Sequence, residues 1–185
     1  MRGKPPMDSL QGYSAMLESR GARDVPHPGG NLLDHLARVA RLLESWGADE
    51  DLCVAGLCHA CYGTGGFAVS LFDPGRRDEL RRIIGERAEK LVYLYAACDR
   101  GHVHAQLGRQ DPVEFRDRFD GTTWKMPAAD LDRFMELTAA NELDIARENS
   151  DFKERHGQEL LDLFTRNRRL LSSAAWRECE ELLGS

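Results

Sequence analysis

The stretch LCVAGLCHACYG, residues 52–63, decides how the rest of the chain is interpreted. Almost every side chain in it is apolar or small, so we expect a helix that is buried on all sides at the centre of the fold. We predict that this helix runs from Leu52 to Tyr62. One titratable side chain, His59, stands in its middle. Because an unpaired polar group in an apolar interior costs free energy, His59 must find a partner elsewhere in the chain.

Apolar residues on both sides of this stretch recur at helical spacing, and strand patterns are scarce. We predict helices that begin with Ser9, Asn31 and Asp49 as their N-caps. Residues 114–126 differ, because an Asp-Gly pair there lies between segments bearing large apolar side chains, which is typical of a hairpin. The predicted fold class is therefore all-α, a compact domain of about six to eight helices with one small β-hairpin (about 114–126).

The bulk composition limits the domain organisation and the partners. We expect a disordered leader over residues 1–8 and a single domain over 9–185, since 185 residues suit one core. No stretch resembles a signal peptide or a membrane span, and the five cysteines favour reduced thiols in a cytoplasmic protein. The net charge of −6 and the absence of a basic tract disfavour nucleic-acid binding. The expected partner is a small-molecule substrate, with no nucleic acid and no membrane; a homodimer is left open.

Three polar residues are predicted to face the interior from three helices. His35 falls beside Val39 on the inner stripe of the second helix, His59 lies in the central helix, and Asp99 follows Tyr95 by one turn near the end of the fifth. Two imidazoles and one carboxylate are a common metal-ligand set, so these side chains are expected to converge on one another or on a metal. The alternative is that each is a separately hydrogen-bonded structural residue.

Further candidates lie around this set. Asn141 falls near the middle of the inner face of a long helix, with Asp144 at one edge, so it either contacts the substrate or joins two helices. His27, just before the second helix, is a further ligand, a substrate contact or a plain loop histidine. Arg100 or Arg87 could hold a phosphate through charge-assisted hydrogen bonds.

Three local patterns carry weaker predictions. Cys58 and Cys61 form a C-x-x-C that keeps a redox or zinc role open, although no second pair completes a zinc site. The GTGG segment at 63–66 either approaches a substrate closely or simply ends the helix. His102 and His104 are predicted to be exposed loop residues.

The segments HLARVARLLESWGA (35–48), VAGLCHACYG (54–63) and LVYLYAACDR (91–100) resemble the HD-domain superfamily of metal-dependent phosphohydrolases and related oxygenases. The resemblance implies that His35, His59 and Asp99 are metal ligands. More narrowly, LLDHL, GLCHACYGTGGF, IIGERAEKLVYLY and ANELDIA resemble an uncharacterised HD-like subgroup over roughly residues 27–150.

One position departs from the superfamily pattern. Ala60 stands where the superfamily has the aspartate that follows the second histidine and normally binds the ion. Three interpretations stay open: a hydrolytic metal site with one ligand fewer, a 2-His-1-carboxylate iron oxygenase, or a metal-free enzyme or small-molecule binding module.

Because hydrolases outnumber oxygenases in the superfamily, the leading expectation is a metal-dependent hydrolase acting on a small phosphorylated or nucleotide-like substrate. The cofactor would be a divalent metal (Mn, Fe, Ni or Zn). The expected roles are metal binding by His35, His59 and Asp99, catalysis by His59 and Asp99, and substrate binding by Asn141, Arg100 and His27.

Overall fold

The computed structural model describes residues 7–184, with side chains from Leu10 onward, as a mostly helical domain. Its helices are α1 Met7–Ser19, α2 Leu32–Ser45, α3 Glu50–Cys58, α4 Arg77–Ile84, α5 Glu86–Ala97, α6 Arg100–His104, α7 Ala128–Glu148, α8 Ser150–Arg166 and α9 Ser173–Leu183. Two antiparallel two-stranded sheets pair β1 Pro26–His27 with β2 Gly30–Asn31, and β3 Glu114–Arg116 with β4 Thr123–Lys125. The all-α class with a small hairpin at about 114–126 is confirmed, with nine α-helices in the described part and a second, shorter hairpin that the sequence analysis missed.

The N-terminal helix begins earlier than predicted. Helix α1 starts at Met7, so Ser9 lies inside the helix and is not its cap. Residues 1–6 of the predicted leader lie outside the described residues, and the last two residues of that leader belong to α1. The helix is followed at Gly21 by a left-handed residue with φ of 86°.

The two other predicted N-caps are confirmed. The Asn31 side chain accepts a hydrogen bond from the backbone N–H of Asp34 at 3.1 Å, and its amide donates to the Asp34 carboxylate at 2.7 Å. The Asp49 side chain accepts from the backbone N–H of Leu52 at 3.0 Å. Each cap satisfies a donor that the first helical turn would otherwise leave unpaired.

Helix α3 lies at the centre of the core, as its apolar sequence predicts. It packs against α1, α2, α5 and α7, and every residue from Leu52 to Cys58 is buried. The contact with α2 is close at Gly56, where an added Cβ would lie 2.5 Å from a methyl group of Leu43. A glycine at this position therefore lets the two helices that carry His35 and His59 approach each other.

The central helix is shorter than predicted, because α3 ends at Cys58 rather than Tyr62. The carbonyl of Cys61 accepts from the backbone N–H groups of both Leu71 and Phe72, at 2.9 Å each. Since these bonds tie the chain to the 70–72 segment, the backbone leaves the helix and His59 becomes its C-cap. The predicted end was wrong because these partners lie beyond the helix and leave no signal in the apolar pattern of residues 52–62.

Helix α5 likewise ends at Ala97, before the predicted end near Arg100. Cys98 adopts an extended conformation and forms an isolated bridge with Asp117, next to the β3 strand. The Asp99 N–H then donates to the carbonyl of Arg116 at 3.0 Å. The hairpin therefore draws the chain out of the helix immediately before Asp99. Among the described residues, no helix combines the length and apolarity that crossing a bilayer requires.

Candidate functional site

A cavity of about 300 Å³ lies where the β1–β2 hairpin, α2, the end of α3 and α7 meet. Its walls include His27, His35 and His59, together with Arg100 and Asn141. Its volume falls at the lower end of the range of small-molecule pockets. Five of the six predicted site residues, all except Asp99, thus share one region with Glu142, and we call it the histidine cavity.

His35 is held on two sides by α7, as its position on the inner stripe of α2 predicts. Its Nδ1 donates to Oδ2 of Asp144 at 2.7 Å, and its Nε2 lies 3.1 Å from the side-chain oxygen of Asn141. The carboxylate fixes a proton on Nδ1, because a carboxylate oxygen accepts. The ring is 1% exposed and cannot reorient without breaking both contacts.

The Asp144 carboxylate also joins α7 to the β1–β2 hairpin through Arg38. The Arg38 guanidinium donates to both Asp144 oxygens, at 2.7 and 3.0 Å, and to the backbone carbonyls of Pro28 and Gly29. Burial on its own would raise the pKa of Asp144, but hydrogen bonds from His35 and Arg38 together outweigh it, and the net pKa lies below the ordinary value. Asp144 is therefore a carboxylate at neutral pH.

The hairpin brings His27 into the cavity wall. Gly29, in the turn between its strands, has φ of 78°, and an added Cβ would lie 2.4 Å from the Glu148 carboxylate, so the turn packs directly on the end of α7. The His27 ring stacks on the His35 ring, with centroids 3.9 Å apart. Its Nδ1 is buried and has no hydrogen-bond partner in the part of the chain that the structure describes. Burial, with His35 beside it, lowers the pKa of His27 to about 4.

His59 is neutral for a similar reason. Burial first, then the neighbouring His35, lowers the pKa of His59 to about 3. Its Nδ1 donates to the carbonyl of Gly56 at 2.8 Å, so the proton is on Nδ1 and Nε2 carries the lone pair. The ring lies edge-on to both His35 and Tyr95, with centroids 5.3 Å apart in each case. His59 therefore presents a fixed acceptor, as a buried neutral imidazole does.

Arg100 supplies positive charge to the cavity wall. It donates to the Tyr95 hydroxyl at 3.2 Å and to the Glu142 carboxylate at 3.4 Å, both long contacts. The other predicted phosphate-binding residue, Arg87, is largely exposed and pairs with Asp51 at 3.0 Å. It does not line the cavity, so only Arg100 of this pair is placed to meet a ligand there.

Asp99 is not placed where the sequence analysis expected it. It lies at the N-cap of α6, where its side chain accepts from the backbone N–H of His102 at 3.1 Å and from Arg116 at 2.7 and 2.8 Å. These donors hold the pKa of Asp99 below its usual value, the His102 N–H having the largest effect. Asp99 is 30% exposed and does not line the histidine cavity. The prediction that it faces inward from α5 is wrong, because the helix ends two residues earlier.

The donors present do not fit the metal site that the resemblance implies. Asp99 is committed to Arg116, and Ala60 presents only a methyl group to the cavity. Both nitrogens of His35 already face Asp144 and Asn141. Within residues 7–184, no group of three or more His, Cys, Asp or Glu side chains is arranged to hold a metal ion. The expected His35, His59 and Asp99 set is thus not assembled.

The sequence carries a signal for two pairs of cavity residues, but none for the contact between those pairs. Arg38 follows His35 by three residues and Asp144 follows Asn141 by three, so each pair shares a helix face. The contact between those two faces is long-range and leaves no local signal. The C-x-x-C cysteines are both buried free thiols, and Thr64 and Gly66 of the GTGG segment line the cavity.

A family model described as a domain of unknown function, DUF6817, matches residues 16–100, which is less than half of the chain. The matched region runs from α1 to the start of α6 and includes His27, His35 and His59, but not Asn141 or Asp144. No curated protein and no solved structure matches the chain. The match therefore names a class of chain without assigning an activity to it.

Proposed function

We propose that the chain binds a small polar molecule in the histidine cavity without the help of a metal ion. The observation that carries this proposal is the His27 Nδ1 atom, buried in the wall of a 300 Å³ cavity with no partner among the described residues. A buried polar atom without a hydrogen bond is costly, and a polar group of a bound molecule would satisfy it. Of the interpretations left open by the sequence, this one is the metal-free binding module.

The electrostatics of the cavity favour recognition over proton transfer. His27 and His59, with pKa values of about 4 and 3, are weak bases at neutral pH, whereas a general base works best with a pKa near the working pH. Two neutral imidazoles instead accept hydrogen bonds from hydroxyl or N–H groups. The expected ligand therefore carries donors at the end that enters the cavity.

Metal-dependent hydrolysis, the leading expectation from the resemblance, and iron-dependent oxygenation stay predictions. Both require an ion held by His35, His59 and Asp99. The contacts of Asp99 with Arg116 and the methyl group of Ala60 argue for the metal-free alternative. The cavity volume, the fixed rings and the nearby Arg100 suit a binding site.

The proposal is tested by screening chelator-treated protein against a library of small polar fragments, both neutral and anionic, and following the histidine side-chain nitrogens by NMR. We expect fragments that shift the His27 and His59 signals without added metal. The variant His27→Phe keeps a stacked ring but removes the unpartnered nitrogen, so it should lose these shifts. Arg41→Gln, on the outer face of α2, serves as the matched control. Binding that requires added manganese, iron, nickel or zinc would contradict the proposal, and so would a screen with no fragment in this cavity.

A further inference from the structure

A second cavity, of about 400 Å³, adjoins the histidine cavity. Arg100, Glu142 and Phe152 line both cavities and so form the wall between them. The second cavity is otherwise built by α6, the turn that follows it, and α8. We call it the arginine cavity, after Arg100, Arg109 and Arg166 in its walls.

The charge of the arginine cavity is opposite to that of the chain. Three arginines face two glutamates there, whereas the whole protein carries a net charge of −6. One of the glutamates, Glu142, already accepts from Arg100 at 3.4 Å. Within the described residues, the structure records no ion pair or side-chain hydrogen bond for Arg109 or Arg166. Cations that outnumber the carboxylates beside them repel one another, and an anion between them relieves that repulsion.

Backbone packing holds the two unpaired arginines close together. Gly108, directly before Arg109, has φ of 72°, and an added Cβ there would lie 2.9 Å from Cβ of Arg166 and 3.1 Å from its carbonyl oxygen. The turn therefore packs directly on the C-terminal end of α8. This contact fixes where the Arg109 and Arg166 side chains begin, so their proximity does not depend on flexible side chains alone.

His104 adds a polar atom without a partner to the same wall. It lies on α6 and is partly buried, so the prediction that it is an exposed loop residue is wrong. Its Nε2 is buried with no hydrogen-bond partner among the described residues. Burial, with Arg100 nearby, lowers the pKa of His104 to about 4. A neutral imidazole donates one hydrogen bond and accepts another, so it accommodates an oxyanion through its N–H.

We infer that the arginine cavity binds the oxyanion end, a phosphate or carboxylate group, of the same molecule whose polar end enters the histidine cavity. The inference rests on the proposed function for the polar end, and on Arg100, Arg109, Arg166 and His104 for the anionic end. Arginine forks match both kinds of oxyanion in planar, charge-assisted hydrogen bonds. The shared wall at Arg100 lets one ligand span both cavities.

The anionic end is tested by titrating the full chain with inorganic phosphate and, separately, with acetate, following backbone amide signals by NMR. We expect saturable phosphate binding that shifts signals of the turn after α6 and the end of α8. Arg109→Gln and Arg166→Gln should each weaken it about threefold, and the double variant about tenfold, as expected for exposed charges. Arg155→Gln, an exposed arginine of α8 outside both cavities, should leave the affinity unchanged. A tighter response to acetate would assign the carboxylate form of the oxyanion.

The spanning of the two cavities is tested with glycerol 3-phosphate, which adds hydroxyl donors to a phosphate. Wild type should bind it more tightly than inorganic phosphate, and His27→Phe should abolish that gain while leaving the affinity for inorganic phosphate unchanged. The inference is overturned if neither phosphate nor acetate binds, or if Arg155→Gln weakens binding as much as Arg166→Gln does. Either result would leave the proposed fragment binding in the histidine cavity unaffected. Phosphate binding without the gain overturns the spanning ligand. If phosphate binds but no fragment binds in the histidine cavity, the proposed function is wrong and the anion site is retained.

Discussion

Replacing Asp144 with asparagine removes the charge that joins α2, α7 and the β1–β2 hairpin. In the wild type its two oxygens receive three contacts, one from the buried His35 ring and two from the Arg38 guanidinium at the edge of the cavity. An asparagine amide offers one acceptor oxygen and a nitrogen that can only donate, so at least one of these donors loses its partner. The substitution keeps the size of the side chain, and its effect therefore reports on charge and hydrogen bonding.

The expected loss of stability follows from the burial of each partner. A hydrogen bond to a charged group contributes about 1.5–3 kcal/mol, and removing one partner of a buried pair costs about 3–5 kcal/mol. The His35 side chain is 1% exposed and feels the full loss, whereas Arg38 is 24% exposed and recovers part of its hydration. We expect Asp144→Asn to lower the free energy of unfolding by about 3 kcal/mol at neutral pH.

The difference should also depend on pH in a defined direction. The folded pKa of Asp144 lies below the ordinary aspartate value of 3.8, so the carboxylate stabilises the fold at every pH above that value. Its contribution is lost as the pH falls from there through the lower pKa of the folded protein. The gap between wild type and Asp144→Asn is therefore full at neutral pH and closes in acid.

Urea-induced unfolding, followed by circular dichroism over a series of pH values, measures this gap. The matched control is Asp132→Asn, an exposed aspartate of the same helix, which should change the free energy of unfolding by less than about 0.5 kcal/mol. A loss below about 1 kcal/mol for Asp144→Asn, or a gap that is the same in acid as at neutral pH, would refute the reasoning.

Four further predictions follow from single contacts. In a urea titration, His27→Phe should leave the free energy of unfolding within about 1 kcal/mol of wild type or raise it, because it removes an unpartnered buried atom. A large loss of stability would mean that this atom has a partner. The His59 ring should stay neutral, with its proton on Nδ1, down to about pH 4 in side-chain NMR, since its pKa is about 3; protonation near pH 6 would contradict this. Ala60→Asp should destabilise by about 3 kcal/mol, and added manganese or zinc should not restore the thermal midpoint; a metal-dependent recovery would favour the HD-type site. Glu89→Ala removes a buried carboxylate that accepts from Tyr62 and Arg77 outside both cavities. It should lower the free energy of unfolding by about 3 kcal/mol, while fragments still bind in the histidine cavity.

Helical periodicity was enough to place some of the site residues. His35 and Asn141 were predicted on inner faces, and both are buried and in contact with each other. The capping pattern at Asn31 also located the start of α2, because a capping side chain and its partner lie within one turn. Signals of this kind are local, so they can be found in the sequence.

The errors have a common physical origin in long-range pairing. Asp99 was placed on α5 because nothing in its neighbours indicates that Cys98 pairs with Asp117. The β1–β2 hairpin was not predicted, although the Pro-Gly pair at residues 28–29 indicates a turn there. Arg38 had no predicted role. Its role depends on Asp144, more than one hundred residues away.

The resemblance to HD-domain proteins predicted a set of metal ligands. At two positions of that set, the fold places no ligand in the histidine cavity. Ala60 lines the histidine cavity without a donor, and Asp99 lies outside it. What is retained is the pair of histidines, His35 and His59, on neighbouring helices with ring centroids 5.3 Å apart. The arrangement that we describe keeps this pair and adds His27 and Arg100.

The central claim is that the histidine cavity needs no metal ion. Elemental mass spectrometry of the chain purified without added metal tests this claim most directly, combined with the thermal midpoint measured before and after chelation. The account predicts much less than one equivalent of manganese, iron, nickel or zinc per chain and an unchanged midpoint. About one equivalent of any of these metals, lost on chelation together with stability, would contradict it.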